Sequence, residues 1–195
     1  TKTLLGYGIR LSINGIGDHG DGENWMQMYQ LSNDAAEVRG ALESIVMTSG
    51  DDEPEAYECL AQELARRIPV ESAGRKRAVV LVADSVPHGM MDESCEMNVD
   101  YARAFDALKT VCDGFYFVGC NPQMYDHQRE LINPAKPDKE QFIPLGEMVD
   151  VLPDLLIALV KKAESAKALD EYMKLLTAQD ADKAQKIAGL LGTGN

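Results

Sequence analysis

Hydrophobic residues near the start of the chain alternate as they do in strands. Apolar side chains occupy odd-numbered positions from Ile9 to Ile13, which predicts a strand over residues 4–16. A glycine-rich segment at residues 15–22 ends this strand with tight turns. Residues 25–31 predict a second strand that pairs with the first as a hairpin.

The next two segments change to the spacing of helices. Residues 34–47 follow a Ser-Asn-Asp sequence that favours a helix start, so the pattern predicts a helix there. An acidic break at residues 49–54 separates it from a second predicted helix over residues 55–67. Pro54 is expected in the first turn of that second helix.

Two strongly apolar segments predict the centre of a parallel sheet. Residues 78–83 (AVVLVA) and 114–119 (GFYFVG) are continuous apolar runs, as in strands buried on both faces, and a helix over residues 99–111 lies between them. Residues 142–145 predict a short edge strand, because Pro144 cannot donate a ladder hydrogen bond. This alternation predicts an α/β fold with a doubly wound, Rossmann-like, mostly parallel sheet flanked by helices.

Helical spacing dominates the rest of the chain. Pro153 starts one predicted helix, and two further helical pieces over residues 169–192 meet at Asp180. We therefore expect one α/β domain over residues 1–165 and a helical tail over residues 166–195. The tail is expected to pack back on the domain, and docking on a partner is the alternative.

Charge and composition restrict the partners. The 195 residues carry 19 basic and 32 acidic side chains, a net charge of −13, and the isoelectric point is about 4.6. An acidic surface repels nucleic acid and anionic membranes, so neither partner is expected. No apolar run has membrane-spanning length, and the four cysteines lack the spacing of zinc or disulfide motifs. We therefore expect free, structural thiols and a cytoplasmic location.

Three loops carry acidic, hydroxyl or imidazole side chains at the ends of predicted strands and helices. In chain order these residues are Asp18, His19, Asp51, Asp52, Asp84, Ser85 and His88. Ligands of an open parallel sheet collect at the carboxyl ends of its strands, and carboxylate and hydroxyl oxygens suit Mg²⁺. The alternatives are helix caps and solvated turns for the acids, and hydrogen-bonded turn residues for the histidines.

The same loops resemble those of one branch of the von Willebrand factor A (VWA) domains, the branch found beside alpha-kinases. Residues 15–22 read GIGDHGDG, residues 49–56 read SGDDEPEA and residues 82–89 read VADSVPHG. All three are similar, in order and spacing, to loop motifs of that branch. The resemblance covers residues 9–165 and implies a VWA-type fold with a metal-ion-dependent adhesion site.

The resemblance also assigns roles to residues. It implies that Asp52 and Asp84 hold Mg²⁺, while the other five residues of the three loops are accessory groups. The first metal motif of the family, Asp-x-Ser-x-Ser, is absent from this sequence, as is the central strand that precedes it. Because a missing central strand would leave two backbone ladders unpaired, we expect a longer polypeptide or another chain to supply it.

Three functions remain open from the sequence. The resemblance implies a non-catalytic interaction module in which a partner's acidic side chain completes the coordination of the metal. The residues alone also allow a metal-dependent hydrolase that uses Asp18, Asp84 and His88, or a metal-free scaffold in a larger assembly. The sequence has no phosphate-binding loop, nucleophile elbow or His-Glu-x-x-His motif, which favours the interaction module.

Overall fold

The computed structural model describes residues 9–48, 54–91, 93–146 and 148–192. The chain divides into two compact units. The first unit consists of the residues up to Arg67 together with Val86–Phe105, and the second consists of Ile68–Ser85 together with the residues from Asp106 onward. Among the described residues, no helix is both long enough and apolar enough to cross a bilayer.

A short β-ladder opens the first unit. Strand β1 (Gly15–Ile16) runs antiparallel to β2 (Met26–Gln27), and a 3₁₀ helix (His19–Asn24) connects them. The predicted hairpin is thus confirmed, but its strands are much shorter than expected. Part of the reason is that Asn14 Oδ1 accepts the backbone N–H of Tyr29 at 3.0 Å, which takes a donor that a longer ladder would use. Residues 4–8 of the predicted strand lie outside the described residues.

The sequence predicted two helices that begin in the first unit. Helix α1 (Ala35–Ser44) begins after Asp34, whose carboxylate accepts the backbone N–H of Ala36 at 2.7 Å. Helix α2 (Tyr57–Glu71) begins later than expected, so the placement of Pro54 in its first turn is wrong.

The residue after Pro54 explains the late start of α2. Glu55 forms a parallel bridge with Pro87, and its backbone N–H donates to the carbonyl of Val86 at 2.9 Å. Because these contacts need extended backbone, the helix cannot begin before Ala56. At its other end α2 continues beyond the predicted residue 67 and includes Pro69.

A three-stranded parallel sheet forms the framework of the second unit. The strands are β3 (Ala78–Ala83), β4 (Gly114–Gly119) and β5 (Glu140–Pro144), in the spatial order β3-β4-β5. Strand β4 is buried at every position, as predicted, and β5 lies at one side of the described sheet, as Pro144 indicated. The expectation that β3 is buried on both faces is wrong, since Val82 is 42% exposed.

Helices complete the second unit and flank the sheet. Their bounds are α3 (Tyr101–Val111), which begins in the first unit, α4 (Tyr125–Glu130), α5 (Leu152–Glu164), α6 (Ala166–Gln179) and α7 (Ala181–Leu190). The expected break in the tail is confirmed at Asp180, whose carboxylate accepts the backbone N–H of Lys183 at 3.0 Å and so caps α7. The α/β class is therefore confirmed at the level of a parallel sheet packed against helices.

The C-terminal helices share the core of the sheet. Leu169 and Leu176 of α6 and Ile187 of α7 belong to the same buried cluster as Val118 of β4 and Leu155 of α5. Polar contacts reinforce this packing, because one Asp154 oxygen accepts from the Tyr172 hydroxyl at 2.9 Å and the other pairs with Lys183 at 3.0 Å. The expectation that the tail packs back on the α/β domain is confirmed.

Truncation of a core residue on α7 tests whether the tail contributes to stability. Ile187 has no solvent exposure, so Ile187→Ala should lower the free energy of unfolding by about 2–5 kcal/mol. The control is Leu175→Ala on α6, where the side chain is 60% exposed and the expected change is within about 0.5 kcal/mol. Urea unfolding measured by circular dichroism would check both values, and equal midpoints for the two variants would contradict the packing of α7.

Candidate metal centre

Three segments of the first unit meet around a group of buried polar side chains. Asp18 and His19 start the 3₁₀ helix, Glu58 and Cys59 lie in the first turn of α2, and the loop over residues 86–95 contributes His88 and Cys95. Backbone hydrogen bonds hold the segments together at their bases. The N–H of Ala56 donates to the carbonyl of Gly17 at 3.1 Å, next to the bridge that joins Glu55 to Pro87.

The loop that carries Asp18 and His19 has a fixed local geometry. Asp18 caps the 3₁₀ helix, accepting the backbone N–H of His19 at 2.6 Å, and its own N–H donates to Asp21 at 2.8 Å. Gly17 is required before them, because a Cβ atom there would collide with the side chains of Thr48 and Asp21. The glycine-rich sequence that predicted a turn therefore also orients a carboxylate and an imidazole.

His88 lies between two carboxylates. Its Nδ1 is 3.2 Å from one oxygen of Glu58, and its backbone N–H donates to the other Glu58 oxygen at 3.1 Å. On the opposite side of the ring, Nε2 is 3.1 Å from Asp18 Oδ1. Because all three side chains are at least nine-tenths buried, these contacts replace the water that the charged groups would otherwise bind. We call this arrangement the carboxylate–histidine chain.

A second set of contacts surrounds the other histidine. His19 Nε2 is 3.4 Å from Cys59 Sγ and 3.9 Å from Cys95 Sγ, and the two sulfurs are 3.5 Å apart. Glu58 Oε1 is 3.7 Å from Cys59 Sγ, so it also borders this group. We call these four residues the thiol cluster.

The two sulfurs of the thiol cluster are not bonded to each other. A disulfide requires a separation of about 2.05 Å. All four cysteines of the chain are free, as the sequence predicted. Burial raises the pKa of Cys59 and of Cys95, and the neighbouring Glu58 carboxylate adds to the shift of Cys59. Without a bound cation, both side chains are therefore neutral thiols.

The imidazole of His19 is buried, and its ring nitrogens have few hydrogen-bond partners among the described residues. Its side chain is 5% exposed and packs between the rings of Trp25 and His88, each with a centroid separation of 5.0 Å. Its Nδ1 makes no hydrogen bond within the described part of the chain, and it lies 3.8 Å from Asp18 Oδ1. Among the described residues, the hydrogen-bond partners of its other nitrogen are the two sulfurs, which are weak partners.

These side chains form two groups that could hold a metal ion. One group is the thiol cluster, and the other consists of Asp18, His19 and His88; within each group the ligating atoms lie within 4.8 Å of one another. Sulfur and imidazole nitrogen dominate the first group, and imidazole nitrogen dominates the second. Neither is the oxygen-rich set expected for Mg²⁺.

The structure brings together only some of the residues predicted from the sequence. Asp18, His19 and His88 lie in contact, whereas Asp51 and Asp52 fall outside the described residues. The remaining two residues belong to the second unit. Asp84 is exposed after β3, and Ser85 is buried, with its carbonyl accepting from the side-chain amide of Gln128 at 2.8 Å.

Sequence reasoning missed Glu58, Cys59 and Cys95. The two cysteines are 36 positions apart and belong to no short motif, so their contact depends on the tertiary fold. The one available signal was the adjacent Glu58 and Cys59 at the start of a predicted helix, directly after the acidic loop that the metal hypothesis already included.

Comparison with known protein families, with curated proteins and with solved structures finds no match to this chain. The fold and the candidate site therefore assign the protein to a structural class, and they do not assign it to a family. The protein is an α/β protein with a three-stranded parallel sheet and, in its first unit, buried His/Cys/Glu and Asp/His groups suited to a metal ion.

Thiol reactivity provides a test of how the cysteines are placed. Cys120 is half-buried, whereas Cys112 is 4% exposed and burial raises its pKa to about 12. At pH 8 the folded protein should therefore react with a disulfide reagent first at Cys120, and Cys112 should stay unreactive until the chain unfolds. Cys120→Ser should remove the fast phase and Cys112→Ser should not. A fast phase that survives in Cys120→Ser would contradict this order.

Proposed function

We propose that this chain is a metal-dependent interaction module and not an enzyme. The observation that carries the proposal is the burial of the candidate metal centre, in which Glu58 has no exposure and the Asp18, His88, Cys59 and Cys95 side chains are each less than 10% exposed. Structural metal sites are closed, while catalytic sites keep an open position for water or substrate. The role proposed for the metal is to join two loops of the first unit to the start of α2.

A buried metal of this kind would stabilise the surface around it. Only the start of α2 belongs to a long element, because Asp18 and His19 lie at the start of a six-residue 3₁₀ helix and His88 and Cys95 lie outside any helix or strand. One cation that binds all three segments would lower the entropy of the loops and preserve one arrangement of their outer faces. A fixed loop surface on an acidic α/β protein suits recognition of another protein.

The VWA resemblance supports a more specific version of the proposal. In that version the module captures an acidic group of its partner through Mg²⁺ held by Asp52 and Asp84. Asp84 is exposed directly after β3, at the carboxyl end of a parallel strand, where a partner can reach it. This version of the proposal also includes a doubly wound sheet topology and membership of the VWA family.

Chelation tests the proposal directly. A metal present at about 100 times its dissociation constant stabilises the folded state by about 2.7 kcal/mol, which corresponds to about 5–10 °C in melting temperature for a chain of this size. We expect chelator to lower the melting temperature of the purified full chain by this amount and a transition metal to restore it. Phosphatase and esterase substrates should give no turnover in either state. An unchanged melting temperature in chelator would contradict the proposal that a bound metal stabilises the folded chain.

The second candidate function is a metal-dependent hydrolase. The contact between His88 and Asp18 favours it, because a carboxylate commonly orients a histidine that acts as a base. Burial of both side chains opposes it, since a substrate has to reach the base. Metal-dependent turnover that disappears in His88→Ala would reverse the ranking.

Mg²⁺ binding at the sheet edge has a separate test. Asp84→Ala should abolish calorimetrically detected Mg²⁺ binding to the full chain, because the exposed carboxylate is the proposed ligand. The control is Asp182→Ala, which removes the same charge from an exposed position near the start of α7. Equal Mg²⁺ affinity in wild type and Asp84→Ala would exclude Asp84 as a ligand.

A further inference from the structure

We propose that the thiol cluster is a zinc site in which Cys59, Cys95, His19 and Glu58 bind one Zn²⁺ in tetrahedral geometry. The inference rests on the proposed function, in which the first unit binds a metal ion, and it names both the ion and its ligands. The ligand atoms are the two Sγ atoms, Nε2 of His19 and Oε1 of Glu58. Both thiols lose their protons to solvent when the ion binds.

Four of the six separations among the ligand atoms are close to those of a tetrahedron around zinc. Bonds of about 2.3 Å to sulfur and about 2.0–2.1 Å to nitrogen, at tetrahedral angles, place two sulfurs about 3.8 Å apart and sulfur about 3.6 Å from nitrogen. The sulfurs of Cys59 and Cys95 are 3.5 Å apart, and His19 Nε2 lies 3.4 Å and 3.9 Å from them. Glu58 Oε1 is 3.7 Å from Cys59 Sγ, close to the zinc value of about 3.6 Å for an oxygen ligand.

The donor types select against the hard cations. Two thiolates and an imidazole are soft or borderline ligands that bind zinc and other transition metals, whereas Mg²⁺ and Ca²⁺ take oxygen ligands. Glu58 supplies the one oxygen of the set. The expectation of magnesium, based on carboxylates, thus does not fit this cluster.

Residues next to the thiol cluster contact its ligands, as the residues around the ligands of zinc proteins commonly do. Both oxygens of Glu58 are held by His88, through its backbone N–H at 3.1 Å and its ring nitrogen at 3.2 Å. Asp18 in turn holds the far side of the His88 ring and faces Nδ1 of His19 at 3.8 Å. A ligating histidine usually directs its second nitrogen at a carboxylate, and Asp18 lies on the Nδ1 side of the His19 ring, just beyond hydrogen-bond distance.

A bound cation also accounts for the poor hydrogen bonding of the cluster. His19 is buried, and among the described residues its Nδ1 lacks a hydrogen bond while the hydrogen-bond partners of its Nε2 are the two sulfurs. Burial of such a group is unfavourable unless another interaction compensates. Coordination of Zn²⁺ by Nε2 and by the two thiolates would replace these weak contacts with strong ones.

Cobalt substitution of the full chain tests the ligand set. The protein is stripped with chelator under reducing conditions, desalted and titrated with Co²⁺, whose absorption reports both tetrahedral geometry and thiolate bonds. We expect one Co²⁺ per chain, intense visible bands, sulfur-to-cobalt charge transfer in the near ultraviolet, and loss of all these bands when Zn²⁺ is added. Cys59→Ser and Cys95→Ser should each remove about half of the charge-transfer absorbance, because each variant keeps one of two thiolates.

Controls separate ligand loss from misfolding. Cys120→Ser changes a thiol of the second unit and should leave the cobalt spectrum unchanged. Alkylation of the wild-type chain, followed by peptide mass analysis, requires no variant. Because burial alone makes both thiols slow to react in the folded chain, the alkylation is run in denaturant near the unfolding midpoint, where Zn²⁺ should slow the modification of Cys59 and Cys95 and chelator should speed it.

Each outcome decides between the zinc site and the broader proposal. Weak octahedral cobalt bands without charge transfer, together with thiols that zinc does not protect, would overturn the zinc site and leave a metal held by nitrogen and oxygen. Absence of any stoichiometric metal would overturn both proposals. A disulfide between Cys59 and Cys95 in the protein isolated without reductant, and failure of the reduced protein to bind zinc, would also overturn the zinc site.

Discussion

The buried carboxylate of Glu58 is the constraint on which the first unit depends. Its side chain has no solvent exposure, and a carboxylate in such a place is tolerated only where hydrogen bonds and opposite charge replace its water. His88 supplies contacts to both oxygens, so the loop that carries it must close over the start of α2. Asp18 holds the other side of the His88 ring, which fixes the third segment. These polar contacts join the three segments, together with the buried apolar cluster of Ala56, Cys59 and Cys95.

Sequence predicted the buried central strand and the tail helices of the second unit because their signals are local, although it did not predict the exposure of Val82 in β3. A strand buried on both faces is apolar at every position, as β4 is, and the capping Asp180 marks the boundary between two helices. In the first unit the same reasoning gave the hairpin but not its length. The length depends in part on the side chain of Asn14, whose Oδ1 accepts the backbone N–H of Tyr29 that a longer ladder would use.

The candidate site could be predicted only in part, for a related reason. Asp18 and His88 stand at the ends of recognisable segments, where chemistry commonly lies, so sequence pattern identified them. Cys95 has no such position, and Glu58 lies only near the start of a predicted helix. Their role follows from the meeting of α2 with a loop more than 30 residues away, and only tertiary structure establishes that contact. Spacing rules for metal motifs do not detect ligands that the fold assembles in this way.

The two candidate metal-binding groups share His19, so an ion bound by one group removes a ligand from the other. In the second group Asp18 and His88 already pair at 3.1 Å, and an ion there would replace that interaction between carboxylate and imidazole. The thiols of Cys59 and Cys95 have only weak partners to lose, and coordination by Nε2 of His19 leaves its Nδ1 directed at Asp18. The sulfur side is therefore the favoured position for a cation, and the carboxylate–histidine chain is the support that orients it.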